Sequence, residues 1–188
     1  MNLKKLVLGS SLLVSTLFAG NYNVDTAHST VGFKIKHMMI SNVSGTFDKF
    51  SGTFEYDEKT NRLKELTGNI QSDSVNTSNA KRDEHLKKED MFDVAKYPTI
   101  NFKVTKIDGE DVYGDFTLKG ITKNIKLELE NGGTIKDPWG NQRAAFALNG
   151  KIKRADYGLT YNTVLEAGGV AVGDDVKLHI EVEGIKSK

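Results

Sequence analysis

The stretch INFKVTKIDGEDVYGDFTL, residues 100 to 118, contains two rows of alternating apolar and polar residues joined by Asp108-Gly109. An alternation with a period of two is typical of a strand that buries one face and exposes the other. An Asp-Gly pair between two such rows predicts a tight hairpin. The residues predicted to face inward are Ile100, Phe102, Val104, Val112, Gly114, Phe116 and Leu118.

The same alternation recurs on both sides of this hairpin, at residues 31–35, 50–56, 125–129 and 176–182. Parallel strands of α/β proteins read as continuous apolar runs, so these alternating rows indicate an antiparallel sheet. The chain lacks alternating helical patterns and contains roughly eight to nine such strands. The sequence therefore predicts an all-β fold, with an up-and-down barrel favoured and a sandwich as the competing architecture.

Four segments interrupt or complicate the alternation. Residues 79–92 lack Gly and Pro, are rich in Lys and Glu, and follow the capping residues Asn76-Thr77-Ser78, which predicts a short helical segment around 79–90. Met38-Met39-Ile40-Ser41 is interpreted as a short helical turn. Asn131-Gly132-Gly133 and Asn149-Gly150 are interpreted as glycine bulges inside long strands, with turns as the alternative.

The N-terminus has the features of a secretory signal. Lys4 and Lys5 precede an apolar run from residue 6 to 18, and a small residue, Ala19, follows it. We expect residues 1–19 to be a signal peptide and residues 20–188 to be one domain. An exported chain without cysteine is expected in the bacterial periplasm. No second apolar run is long enough to span a membrane, which predicts a soluble mature protein.

The composition and the motifs argue against several kinds of chemistry. Without Lys4 and Lys5 the 26 basic residues become 24, against 25 acidic ones, so no basic excess indicates a nucleic-acid partner. No phosphate-binding or dinucleotide motif is present, and no serine lies in a nucleophile elbow. The four histidines do not have metal-ligand spacing. We predict no catalytic residues, no metal and no cofactor.

A surplus of phenylalanines on the strand segments suggests an internal cavity. A barrel of about eight strands is either just filled by its side chains or holds one small ligand. Small residues on the inward rows, Gly52 and Gly114, are expected to leave space. An apolar cavity inside an exported barrel favours a lipid-like guest, because ligand pockets are mostly apolar with few polar groups.

Several long segments resemble the YceI-like family. They are DTAHSTVGFKIKHMMISNVSGTFDKFSGTF (residues 25–54), KRDEHLKKEDMFDVAKYPTINF (81–102), GDFTLKGITKNIKLEL (114–129) and IKRADYGLTYN (152–162). The resemblance runs over nearly the whole chain after the signal segment. It implies an eight-stranded antiparallel, lipocalin-like barrel whose apolar tunnel holds a polyisoprenoid or a similar long-chain amphiphile. It is also compatible with a homodimer and implies no catalytic residue.

The candidate ligand-binding residues are of two kinds. The apolar ones are expected to line the tunnel, and they are Phe33, Ile35, Phe47, Phe50, Phe54, Met91, Phe92, Phe102, Phe116 and Phe146. The polar ones are expected near the mouth, and they are His28, Arg82, Asp83, Arg154 and Asp156. The two arginines could bind a phosphate or quinone-type head group. Alternatively, an Arg–Asp network ties the helical segment to the barrel.

Three functions stay open from the sequence. The leading one is a periplasmic carrier of an isoprenoid-like lipid. The second is an enzyme that acts on a hydrophobic substrate with His28, His85 or Asp83. The third is an interaction protein with a filled core and no small ligand.

Overall fold

The computed structural model describes residues 19–166 and 168–188, and the expected signal peptide lies almost wholly outside this range. The strands, in chain order, are β1 Ala19–Val24, β2 Thr30–His37, β3 Ser41–Phe47, β4 Phe50–Asp57, β5 Arg62–Gln71, β6 Val75–Asn76, β7 Thr99–Asp108, β8 Asp111–Leu118, β9 Ile121–Lys136, β10 Gln142–Lys153 and β11 Val172–Lys186. The α-helix in the described part of the chain is α1, Ala80–Leu86.

The strands form a closed antiparallel barrel, as predicted. Strand β11 closes the ring by pairing with β1 through residues 184–186 and with β2 through residues 172–181. Strands β1 and β2 therefore act as one bent strand. The pair β3 and β4 and the pair β5 and β6 each act as one bent strand in the same way. Counting each bent pair once gives eight strands around the ring, which reconciles the eleven separate segments with an eight-stranded barrel.

The turn chemistry explains most of the connections. Asp108 pairs with Asp111, so Gly109 and Glu110 form the two-residue hairpin loop that the Asp-Gly pair predicts. Gly109 has a positive φ of 65°, which is unstrained for glycine. The bulge predicted at Asn131–Gly133 is confirmed, because Phe146 pairs with Asn131 while Ala145 pairs with Gly133. The bulge predicted at Asn149-Gly150 is wrong, since both residues pair in regular register.

Two predictions about non-strand segments need correction. Residues 38–40 form a tight turn between β2 and β3 rather than a helical turn, with positive φ at Met38 and Met39. Helix α1 is shorter than predicted, and Asn79 caps it by accepting a hydrogen bond from the Arg82 N–H at 3.0 Å. Acidic and basic side chains crowd its exposed surface. Among the described residues, no helix is long and apolar enough to cross a membrane.

One end of the barrel is filled by aromatic rings. The Tyr22 ring stacks on Phe54 with centroids 5.1 Å apart, and Phe54 meets Phe146 edge to face at 5.0 Å. Tyr56 packs against both Tyr22 and Phe54. All four side chains are almost completely buried. We call this group, Tyr22, Phe54, Tyr56 and Phe146, the aromatic plug.

Candidate functional site

Two apolar chambers lie inside the barrel between the aromatic plug and helix α1. The inner chamber, nearer the plug, has a volume of about 110 Å³, and the outer chamber, next to α1, has a volume of about 250 Å³. A lone cavity of about 150 Å³ lined by aliphatic and aromatic groups is already large enough to hold benzene. The outer chamber therefore has room for an apolar guest.

The two chambers share one wall, and we call them together the tunnel. Aromatic rings dominate this wall: Phe33 and Phe47 have centroids 5.7 Å apart, and Phe47 and Phe92 have centroids 5.8 Å apart. We call the shared residues the collar. They are Phe33, Phe47, Ile100, Phe116 and Leu178.

Glycines decide where the rings can lie and where space remains. A Cβ atom added at Gly45 would overlap the Phe33 ring, and one added at Gly114 would overlap the Phe102 ring. Gly114 therefore accommodates a ring instead of leaving space, which corrects the prediction for this residue. A Cβ atom added at Gly68 would meet nothing within 4 Å, and Gly68 lines the inner chamber.

Most of the predicted apolar residues come together around the tunnel. Phe50 and Phe102 line the inner chamber, and Ile35, Met91 and Phe92 line the outer one, while the collar contains the others. Phe54 and Phe146 are the exceptions, because they belong to the plug and are not among the described residues that line either chamber. Alternation assigned both to the inward face correctly but could not show which end of the barrel is filled.

Arg154 is buried and bound to backbone carbonyls. Its side chain donates hydrogen bonds to the carbonyls of Leu159 at 2.5 Å, Tyr161 at 2.9 Å and Gly173 at 2.8 Å, with a longer one of 3.4 Å to Val172. Burial lowers the pKa of the Arg154 guanidinium. These bonds tie residues 159–173 to the barrel, so the bracing role fits Arg154, with carbonyls rather than a carboxylate as partners.

Arg82 is less constrained than Arg154. Its Nε donates to Thr77 Oγ1 at 2.7 Å and its Nη2 donates to the Thr77 carbonyl at 2.9 Å. Thr77 Oγ1 in turn donates to Asp83 Oδ1 at 2.5 Å, and Asp83 also accepts from the Thr77 N–H. Within the described residues, the Nη1 group of Arg82 has no hydrogen-bond partner. Arg82 is one of the residues that line the outer chamber.

The remaining predicted polar residues, His28 and Asp156, have charged partners of their own. Asp156 is half exposed and lies 3.7 Å from Lys123 Nζ, on the outside of the barrel. His28 is hydrogen-bonded to Asp25 at 2.8 Å, and Asp25 also accepts from Arg143. Arg143, which binds Asp25, lies near the start of β10. Arg154, which lines the outer chamber, follows the end of β10. His28 is therefore at the opposite end of the barrel, near the plug. His28 therefore does not lie at the mouth, whereas the mouth prediction for Asp156, two residues after Arg154, stays a prediction.

The plug end carries a compact charge cluster. Arg143 donates to Asp25 at 2.8 Å, to Asp137 at 2.8 Å and to Glu183 at 2.5 Å. The hydrogen bond that Arg143 donates to Asp25, followed by the bond between Asp25 and His28, lowers the pKa of Asp25 to about 2. Asp25, His28 and Glu183 could offer three ligand atoms to a cation, but the guanidinium already lies against both carboxylates. The cluster is a structural ion-pair network.

Sequence reasoning missed the rim of the outer chamber. Tyr161 meets His85 edge to face with centroids 4.8 Å apart, and His85 is hydrogen-bonded to Asp90 at 3.0 Å. Tyr161, Lys36 and His37 line the outer chamber and also reach the protein surface. Tyr161 belongs to the family-like segment IKRADYGLTYN, but nothing in that segment alone indicated that its ring lies at the rim. Its position over the mouth depends on Arg154.

The chain is similar in sequence and in structure to known proteins. A family model described as the YceI-like domain matches residues 22–184. Protein YceI of Salmonella newport is 38% identical, with 99% of this chain and 100% of the relative covered. The crystal structure of a Campylobacter jejuni YCEI protein is 40% identical, covers 87% of this chain and 96% of that one, and has a TM-score of 0.69.

A more distant structure has the same fold. A polyisoprenoid binding domain from Saccharophagus degradans is 20% identical, covers 88% of this chain and 98% of that one, and has a TM-score of 0.66. At this identity the likeness concerns the barrel alone. The barrel, the tunnel and the extent of the family match lead to one conclusion: this chain belongs to the YceI-like family.

Proposed function

We propose that the protein is a carrier that holds a polyisoprenoid or a similar long-chain amphiphile in its tunnel. The observation that carries this proposal is the pair of apolar chambers joined at the collar, with the plug at one end and a polar rim at the other. Binding is favoured over catalysis because His28 lies far from His85 and Asp83. The carboxylate of Asp83 is also already bound by Thr77.

The physical chemistry of the tunnel supports a hydrocarbon tail. Each buried CH₂ group contributes roughly 0.8 kcal/mol, so a prenyl chain can be held without a strong polar contact. Bending of the chain past the collar would require the Phe33, Phe47 and Phe116 rings to adjust. Such adjustment is compatible with a collar that also includes aliphatic side chains, and Met91 beside it is an adaptable gap-filler.

The polar end of the amphiphile is proposed to lie beside Arg82. Its free Nη1 group can donate to a phosphate or to a quinone oxygen, whereas the hydrogen bonds of Arg154 are already made to carbonyls. Thr77 holds the Arg82 side chain in place from one side. Selectivity for the head group would then rest on Arg82, and selectivity for the tail on the length of the tunnel.

The direct test is to identify what the purified protein holds. The protein is extracted with organic solvent, the extract is analysed by mass spectrometry, and the stripped protein is titrated with prenyl alcohols and prenyl phosphates. We expect a long-chain apolar compound in the extract and saturable rebinding. An empty tunnel in independent preparations, together with no rebinding of any prenyl lipid, would falsify the proposal.

The protein is further proposed to act in the periplasm, after removal of residues 1–19. The support is the charged and apolar pattern before Gly20 in the sequence. Strand β1 begins at Ala19, and the first pairing with β4, Ala19 with Asp57, would be lost on cleavage while the pairings of Gly20 to Asn23 remain. Intact-mass measurement of the protein from a periplasmic extract should give a chain that begins at Gly20. A chain found in the cytoplasm with its first residues intact would contradict export.

A further inference from the structure

An exposed apolar surface surrounds the mouth of the outer chamber. The turn between β2 and β3 presents Met38, Met39 and Ile40, and the neighbouring segment presents Val164. Ile40 is 85% exposed and Val164 is 80% exposed. The two segments touch, because the Met38 N–H donates to the Ala171 carbonyl at 2.8 Å and Val164 forms a bridge with Val170. We call Met38, Met39, Ile40, Tyr161 and Val164 the apolar tip.

Lysines lie on the strands that lead to the apolar tip. Lys34 and Lys36 face outward on β2, and Lys177 faces outward on β11, exactly opposite Lys34 in the ladder. Like charges directly opposite each other destabilise a sheet, so the pairing of Lys34 with Lys177 does not contribute to the stability of the barrel. Within the described part of the chain none of the three lysines has a carboxylate at ion-pair distance. The nearby Asp174 and Asp175 are bound to the Ala155 N–H and to Lys151 on β10.

We propose that the apolar tip and Lys34, Lys36 and Lys177 dock the mouth of the tunnel onto an anionic lipid bilayer. Large apolar side chains next to lysines are the combination that favours the headgroup region of such a membrane. The apolar tip would enter the boundary of the acyl chains while the lysines contact lipid phosphates. The rim residues His37 and Tyr161 would then face the membrane, and the outer chamber would open towards it.

A second copy of this chain fits the surface less well. A stable protein interface uses about 20–30 residues a side, and the apolar tip offers five large apolar residues. A twofold arrangement through the apolar tip would also bring the unpaired lysines of both copies towards each other. A bilayer has neither difficulty, because anionic phosphates compensate the lysines.

Vesicle flotation tests the proposal with matched variants. The protein is purified as cells produce it, so that the N-terminus is the same in every variant, and is mixed with phosphatidylcholine vesicles with or without phosphatidylglycerol. We expect the protein to float with the anionic vesicles. Ile40→Ser should weaken partitioning about tenfold, which corresponds to the partial burial of one isoleucine. Ile135→Ser is the control, because Ile135 is 68% exposed at the plug end.

A second pair of variants tests the contribution of the lysines to membrane binding. Lys34→Glu should weaken partitioning into anionic vesicles by at least about fivefold and leave binding to phosphatidylcholine unchanged, since each lysine near such a surface contributes roughly that factor. Lys136→Glu, on an exposed lysine at the plug end, should change neither. Equal losses for Ile40→Ser and Ile135→Ser, or no flotation of the unaltered protein, would overturn the proposal. So would a dimer that Ile40→Ser converts to a monomer without any loss of flotation.

Membrane docking of the mouth rests on the proposed carrier function only for the role that docking would serve. The carrier function and the docking surface can therefore be disproved separately. A protein that yields a prenyl lipid on extraction but does not float would keep the carrier function and lose the docking surface. A protein that floats through the apolar tip but never holds a lipid would do the reverse. Thermal unfolding of each variant checks that the substitutions, all on exposed side chains, leave the barrel intact.

Discussion

Gly52 and Gly68 lie directly opposite each other in the β4–β5 ladder, yet only Gly68 has room for a side chain. A Cβ atom added at Gly52 would come within 2.7 Å of the Thr67 carbonyl oxygen, whereas one added at Gly68 would enter open space. Both glycines line the inner chamber. Gly52 thus permits close packing of backbones, and Gly68 keeps part of the tunnel empty.

Filling this space should shorten the tunnel. We expect Gly68→Val to weaken binding of long-chain prenyl lipids at least tenfold while short chains, held in the outer chamber, bind as before. Stability should be unchanged or higher, because a β-branched residue in a strand is favoured over glycine by up to about 1 kcal/mol. Lipid titration and thermal unfolding measure the two effects. Thr67→Val, on the adjacent outward-facing residue, is the control, and unchanged long-chain affinity in Gly68→Val would contradict the role of the inner chamber.

The collar should be sensitive to a single methyl group at Gly45. A Cβ atom there would overlap the Phe33 ring, so Gly45→Ala must push the ring towards the tunnel. Overpacking of this kind typically costs about 1–3 kcal/mol of unfolding free energy. Denaturant unfolding should show that loss, together with weaker lipid binding. Ser44→Ala on the exposed face of the same strand should change neither, and an equally stable Gly45→Ala would mean that Phe33 has room to move.

The two arginines should separate bracing from recognition. Arg154→Met leaves several carbonyls without their donor, and we expect a loss of about 3 kcal/mol in unfolding free energy. Arg82→Met should cost less stability, because Arg82 is only partly buried and bonds to Thr77 alone. Titration with a prenyl phosphate and the matching prenyl alcohol should show that Arg82→Met reduces the preference for the phosphate. The reverse pattern would assign head-group recognition to Arg154.

Acid stability should depend on Arg143. A carboxyl whose folded-state pKa is lowered contributes stability that is present above its unfolded value of about 3.9 and is lost as the pH falls through the folded value. For Asp25 that folded value is about 2. Arg143→Ala should therefore be less stable than the unaltered protein at neutral pH, with the gap narrowing between pH 4 and pH 2. Denaturant midpoints measured across this window check the prediction. A difference in stability that stays constant between pH 4 and pH 2 would mean that the Asp25 carboxylate does not stabilise the protein through Arg143.

The strand alternation predicted an antiparallel all-β fold, with a barrel favoured over a sandwich, and it assigned most of the tunnel wall to the inward face; the family resemblance then implied the eight-stranded barrel and its tunnel. The period of two assigns residues such as Phe33, Phe102 and Phe116 to the inward face, and closure of the sheet then brings them together. The position along the barrel axis depends on register, which the alternation does not contain. For this reason Phe54 and Phe146 could not be told apart from the rings that line the chambers.

The polar residues were harder to predict, because their roles depend on partners distant in sequence. The bonds of Arg154 reach across residues 159–173, and those of Asp25 reach Arg143 through the closure of β1 on β11. A local motif such as IKRADYGLTYN indicates that Arg154 matters but not that it binds carbonyls. The short charged helix was predicted from composition, while its length depended on the turns after Leu86.

The aromatic plug closes one end of the barrel, which would determine the direction in which a lipid guest enters and leaves. Tyr22, Phe54, Tyr56 and Phe146 pack together at one end of the barrel, so on the proposed carrier function a guest would enter and leave at the other end. A long amphiphile held as proposed would enter with its tail first and leave with its head first. On that proposal, loading and unloading would use the same opening and could not take place at the same time.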